Sequence, residues 1–97
     1  MKAVIVTYIV KKGSERKFER ILREHWKALK QENLVTPQVP FLLRDPENPS
    51  VFKEIFEWQD SRSLKRAQRS EKIQQIWKRM TDLTIEGGIE PAHFKRL

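Results

Sequence analysis

The sequence predicts an α+β fold, in which helices cover one face of a four-stranded antiparallel sheet. Three observations carry that prediction: an opening strand apolar on both faces, two stretches of helical periodicity, and a pair of short strands joined by a proline-rich turn. At 97 residues the chain reads as one domain, residues 1–97, with no repeat, low-complexity tract or linker to divide it.

The opening strand is Ala3 to Val10. Side chains alternate along a strand, so Val4, Val6, Tyr8 and Val10 share one face and Ala3, Ile5, Thr7 and Ile9 the other. The start superficially resembles a secretory signal, but its apolar run is short, rich in β-branched residues and closed by Lys11-Lys12-Gly13. No segment approaches the roughly 20 apolar residues that cross a bilayer, so no membrane partner is expected and the expected compartment is the cytoplasm. The absence of cysteine excludes a disulfide scaffold and a thiolate metal site.

Ser14 is placed to cap the first helix, with Glu15 complementing its dipole. Phe18, Ile21, Leu22, His25 and Leu29 follow at three- and four-residue steps and define one buried stripe, flanked by the Glu19–Arg23 pair. The helix should stop near Asn33. Pro37 and Pro40 bracket a loop into a short strand, Phe41 to Arg44. Asp45 to Ser50 is a turn, since its prolines remove donors and Asp and Asn cap their own backbone. Val51 to Trp58 then alternates Phe52, Glu54, Phe56 and Trp58 against Val51, Lys53, Ile55 and Glu57.

Asp60 or Ser61 can cap a second helix with Leu64 and Ala67 inward, and Ser70-Glu71 marks a fresh cap or a kink. Ile73, Ile76, Trp77, Met80 and Leu83 form a strong amphipathic stripe, which Gly87-Gly88 should end. Ile89 to Leu97 contains Pro91 and reads as an edge strand. The resulting order is a ferredoxin-like split βαβ. Two helical regions cover one side of such a sheet, which leaves Ile5 and Ile9 facing water. A contiguous apolar patch of that type marks an interface, so a homodimer through the sheet face is expected.

The formal charge is +7. Arg62, Lys65, Arg66, Arg69 and Lys72 recur at helical spacing, and serve either as a solvated helix face or as a phosphate-tracking stripe. This element order also builds RNA-recognition domains, but VFKEIFEW lacks their glycine and carries two glutamates. Nucleic acid is therefore not an expected partner.

The run VFKEIFEWQDSRSLKRAQRSEKIQQIWKRM resembles a segment of the antibiotic biosynthesis monooxygenase-like family, and with the opening strand the likeness covers most of the chain. The resemblance implies a dimeric α/β barrel with a ligand between helices and sheet. It also implies an activity drawn from cofactor-independent oxygenation of aromatic polyketides, haem degradation or quinone oxidation. The haem-degrading branch places Asn, Trp and an iron-ligating His at positions that correspond here to Val6, Ala67 and Trp77. All three depart, and an indole nitrogen has no lone pair for iron. No cofactor is expected.

His25 is the one titratable group on its apolar stripe, and serves either as a general base or as a hydrogen-bonded wall residue. Tyr8 either orients a substrate or is structural. Trp26, Trp58 and Trp77 either sandwich a planar ligand or fill core volume. Glu54, amid Phe52 and Phe56, is either a desolvated acid or the partner of a strand neighbour such as Arg44. His93 signals nothing specific, and its separation from His25 is not a metal-ligand spacing. The expected function is a small-molecule-binding dimeric barrel, a cofactor-independent monooxygenase acting on an aromatic or polyketide-like substrate. The alternative is a non-catalytic ligand-binding or accessory module.

Overall fold

A computed structural model describes residues 2–97. In chain order the elements are β1 (Lys2–Val10), α1 (Glu15–Gln31), β2 (Phe41–Arg44), β3 (Val51–Glu57), α2 (Ser63–Arg69), α3 (Glu71–Leu83) and β4 (Thr84–Lys95). The four strands form one antiparallel sheet in the order β2-β3-β1-β4. This is the expected ferredoxin-like α+β arrangement.

Alternation in β1 decides which side the helices cover. Val4, Val6, Tyr8 and Val10 are buried, whereas Ala3, Ile5 and Thr7 are half-buried and Ile9 is exposed. On the covered side the α1 stripe of Phe18, Leu22 and Leu29 meets Ile73, Ile76 and Met80 of α3. Phe18 is fully buried between Tyr8 and Phe52, with ring centroids 4.9 and 5.2 Å away. Aromatic triplets of this kind add to simple area burial through edge-to-face contacts.

The far face follows from the register. Ile5 pairs with Ile55, Ile9 with Val51, Phe41 with Ile55, and Ala3 with Phe94, so these side chains emerge on one side. Phe41, Leu43 and Phe94 are among the exposed large hydrophobics. Lys53 lies among them, and Glu57 is held by Arg96 at 3.3 Å. The face is apolar with scattered charges.

Several terminations differ from the sequence expectation. Ser14 occupies the N-cap position of α1 but makes no side-chain capping bond. Glu15 instead takes the local donors, accepting from the Gly13 amide at 2.8 Å and the Ser50 hydroxyl at 2.7 Å. That second bond ties the β2–β3 turn to the start of α1, and together with backbone donors it lowers the Glu15 pKa from its ordinary value. At α2 the N-cap position falls on Arg62, and the Asp60 carboxylate accepts from the Arg62 amide at 2.8 Å. Leu64 points to the rim rather than inward. Ser70 does cap α3, accepting from the Ile73 amide at 3.3 Å. β3 closes at Glu57, and Trp58 instead forms an isolated bridge with Val35.

The larger correction concerns Gly87-Gly88, which does not end a helix. α3 stops at Leu83, and the chain turns directly into β4 through Thr84, whose backbone is already extended. The glycine pair lies inside β4, where the pairing with β1 shifts between Tyr8 and Val10. Gly87 adopts φ 69°. At Gly88 a Cβ would sit 2.8 Å from the Ile9 carbonyl oxygen and 2.9 Å from that of Ile85. Glycine serves helix ends and strand irregularities for the same steric reason, which is why the two are alike in sequence.

Gly88→Ala is expected to destabilise the fold by about 1–3 kcal/mol, because two of the three clashing atoms, the Ile9 and Ile85 carbonyl oxygens, are backbone and cannot rotate away as the third, Ile85 Cγ1, can. A urea titration measures this, and an unchanged midpoint would show that β4 can relax around the methyl group.

Candidate functional site

A cleft of about 390 Å³ opens between the sheet and the α2–α3 side of the molecule. Val4, Val6 and Phe56 form part of its floor, and Met80 and Leu64 contribute from the helices. Its wall is largely apolar, and three of its lining residues, Tyr8, His25 and Trp77, belong to a chain of four polar side chains.

Glu54 is the centre of that chain. It lies on the helix-covered face of β3, opposite Val6 and diagonal to Tyr8. The Tyr8 hydroxyl donates to its Oε1 at 2.7 Å, and His25 Nδ1 meets its Oε2 at 2.8 Å. His25 reaches this point because it shares the inward stripe of α1 with Leu22 and Leu29. On the opposite edge of the imidazole, the Trp77 indole Nε1 donates to His25 Nε2 at 2.9 Å. Trp77 is carried there by the α3 stripe that also places Ile73 and Met80.

These contacts fix the protons. An indole N–H can only donate, so His25 Nε2 is the acceptor and the ring proton sits on Nδ1, pointing at Glu54. Although fully buried, Glu54 receives two donors, an arrangement that suits an ionised carboxylate facing a neutral imidazole. Burial, then the charge of Glu54, then the hydrogen bond to it, raise the Tyr8 pKa well above its ordinary value. Tyr8 is thereby kept a donor. Among the described residues no Lys or Arg pairs with Glu54, and its contact with the neutral His25 is a hydrogen bond.

The structure brings Tyr8, His25, Trp58 and Trp77 to the same cleft. Trp26 is not among them: it borders a separate depression with Val39 and Pro40, because its side of α1 faces the loop before β2. The anticipated pairing of Glu54 with Arg44 does not form either. Arg44 lies 5.2 Å from the Phe52 ring centroid and donates from Nε to the Pro49 carbonyl at 2.6 Å. Trp58 is buried edge-to-face on Phe56, with centroids 4.9 Å apart, and its Nε1 has no hydrogen-bond partner among the described residues.

His93, to which the sequence assigned no role, borders the cleft mouth with Gln68 and Thr81. The signal that would find it is the pairing of β4 with β1, which puts His93 beside Val4 and Pro91 beside Val6. Two members of the basic stripe are engaged in holding α2 and α3 to the end of α1. Arg66 donates to the Glu32 carbonyl at 3.2 Å and Lys72 to the Gln31 side chain at 3.0 Å. Among the described residues no cluster of three His, Cys, Asp or Glu could hold a metal ion, and no helix is long and apolar enough to cross a membrane.

No family model matches the sequence, and no curated protein is a significant match. Solved structures do match. An antibiotic biosynthesis monooxygenase superposes with a TM-score of 0.83 at 20% identity, covering 100% of this chain and 99% of that one. SnoaB, a cofactor-independent oxygenase from Streptomyces nogalater, gives 0.80 at 16% identity over 99% of this chain and 93% of its own. A conserved protein from Methanosarcina mazei Go1 gives 0.82 at 18% identity, with 99% and 92% covered. The chain therefore has the fold of antibiotic biosynthesis monooxygenase structures along its whole length.

The chain has a single tyrosine, so its ionisation can be followed directly by phenolate absorbance. With its pKa raised on folding, Tyr8 adds stability that is full below about pH 10 and is lost as pH rises through the raised value. The native protein should show no phenolate near pH ~10, and the signal should emerge at higher pH together with unfolding. A free titration near the ordinary tyrosine value, with the fold intact, would contradict the Tyr8–Glu54 bond.

Proposed function

We propose that this protein is a homodimeric small-molecule-binding barrel that oxygenates an aromatic or polyketide-like substrate without a cofactor, with His25 as general base. The observation that carries the reading is a buried imidazole that lines an open apolar cleft, with its lone-pair nitrogen held by one exchangeable donor, the Trp77 indole. Likeness of fold to a cofactor-independent oxygenase supports it.

The chemistry suits a substrate with an acidic CH₂ beside an aromatic ketone, or its phenol tautomer. His25 Nε2 takes one proton, and Glu54 faces the positive charge that the ring gains. The carbanion passes one electron to dioxygen, and the two radicals combine into a C–O bond. Protonation gives a hydroperoxide. Loss of the second C–H proton and cleavage of O–O then yield a ketone and one water. One oxygen atom enters the product and the other leaves as water, so the step needs only substrate and dioxygen.

A non-catalytic ligand-binding role is the second reading. It is favoured by the fact that both His25 nitrogens already have partners. Turnover of anthrone in air separates the two. His25→Ala should lower kcat by about 10²–10⁴-fold if the base assignment holds. Turnover of every accepted substrate unaffected by that change would remove His25 as the base, and turnover absent from the wild type would favour the binding module.

The dimer belongs to the same reading, because a second copy across the far face would bury Ile5, Ile55, Phe41 and Phe94 on both sides at once. Ile5→Glu places a charge at the centre of that face. Sedimentation at micromolar concentration should find a dimer for the wild type and a monomer for the variant. A wild type that stays monomeric would remove both the dimer and the barrel.

A further inference from the structure

Trp77 holds an unusual place in the polar chain. Tyr8, His25 and Glu54 are 3%, 2% and 0% exposed, whereas Trp77 is only partly buried and its ring borders the cleft. The three buried members have no alternative partners: Glu54 is occupied by Tyr8 and His25, and no Lys or Arg lines the cleft. Trp77 differs, since its N–H can turn to water at the cleft mouth at little cost. The weak link in the chain is therefore the bond from Trp77 Nε1 to His25 Nε2.

We infer that Trp77 is a displaceable cap on His25, and that the cleft selects a neutral ligand carrying a hydroxyl donor, a phenol or an enol, whose O–H replaces the indole N–H at Nε2. The inference rests on the reading of the cleft as a small-molecule site and adds the chemistry of the ligand. Glu54 is the positioning residue. By taking the Nδ1 proton it leaves Nε2 as a pure acceptor, so whatever displaces Trp77 must donate. An ether, a carboxylate or a ketone with no enol or phenol tautomer offers only lone pairs there and would leave two acceptors facing each other. An anion also meets the Glu54 charge behind the ring, and among the described residues no Lys or Arg lines the wall to offset it, His93 standing only at the mouth. The apolar remainder of the wall favours an aromatic body.

Three probes of one shape test this in the wild-type protein at neutral pH: 2-naphthol, 2-methoxynaphthalene and 2-naphthoate. Calorimetry should show naphthol binding at least about tenfold more tightly than the ether, the size of one buried hydrogen bond, with naphthoate weakest. The indole N–H resonance of Trp77, identified by its loss in Trp77→Phe, should shift with naphthol and stay in place with the ether. In ¹⁵N-histidine-labelled protein without ligand, His25 should carry its proton on Nδ1. Trp77→Phe, which keeps a ring but removes the competing N–H, should bind naphthol more tightly than the wild type does. Glu54→Gln should erase the preference of naphthol over the ether. Equal binding of naphthol and ether, or a His25 proton on Nε2, would overturn the cap and leave the cleft reading standing. Failure of all three probes to bind would remove the small-molecule reading and the inference with it.

Discussion

A carboxylate with no access to water has to be satisfied from within, and the structure around the cleft is arranged about that requirement. Glu54 is fully buried, and among the described residues its partners are a phenol and an imidazole. Leaving such a group with one partner missing costs far more than an average hydrogen bond contributes. The carboxylate therefore dictates where Tyr8 of β1 and His25 of α1 must be, and through His25 it reaches Trp77 of α3. Four elements distant in sequence are registered on one side chain. An apolar residue of similar volume would hold β3 to α1 at no desolvation cost. Packing alone does not require an acid at this position, which makes the chain Trp77–His25–Glu54–Tyr8 a property of the cleft rather than of the core.

The cleft exists because the helical layer is uneven. On the α1 side Phe18, Leu22 and Leu29 lie flush on the sheet, with Tyr8 and Phe52 closing the space beneath them. On the other side α2 is a helix of seven residues whose buried members are Ser63 and Ala67, too small to fill what lies under them. Leu64, the larger apolar residue there, stands at the rim. β4 contributes Ile89, Pro91 and His93 along the opposite wall. Short side chains above and an irregular edge strand below leave a space that the α1 side lacks.

What the sequence revealed divides along the same line. Local periodicity sufficed for β1, for the α1 and α3 stripes, and for the β2–β3 pair, because each depends on residues a few positions apart. The split βαβ order followed from those elements. Features joining distant residues were out of reach. Glu54 and His25 are 29 positions apart and Trp77 and His25 are 52 apart, and neither spacing carries a periodic signal. Strand neighbours alone offer Arg44 as a partner for Glu54, beside the alternative of a desolvated acid, and the Arg44 guanidinium is engaged elsewhere. Trp26 and Trp77 illustrate the same limit. Both are helical tryptophans beside an inward stripe, and only the docking of each helix decides which one meets the cleft.

β1 and β3 carry the two halves of the molecule on opposite sides of one sheet layer. Tyr8 lines the cleft while its neighbour Ile9 faces outward, and Glu54 is buried on the helix-covered side behind it while Ile55 faces outward. A partner covering the outer face would hold the same backbone that carries the phenol and the carboxylate. It would leave α2 and α3 untouched, since they stand on the other side of the sheet. The expected consequence is a division of labour within the cleft. The sheet side, with Glu54 and Tyr8, becomes the rigid reference. The helix side, with Trp77 half-exposed on α3, keeps the freedom that exchanging one hydrogen-bond donor for another requires.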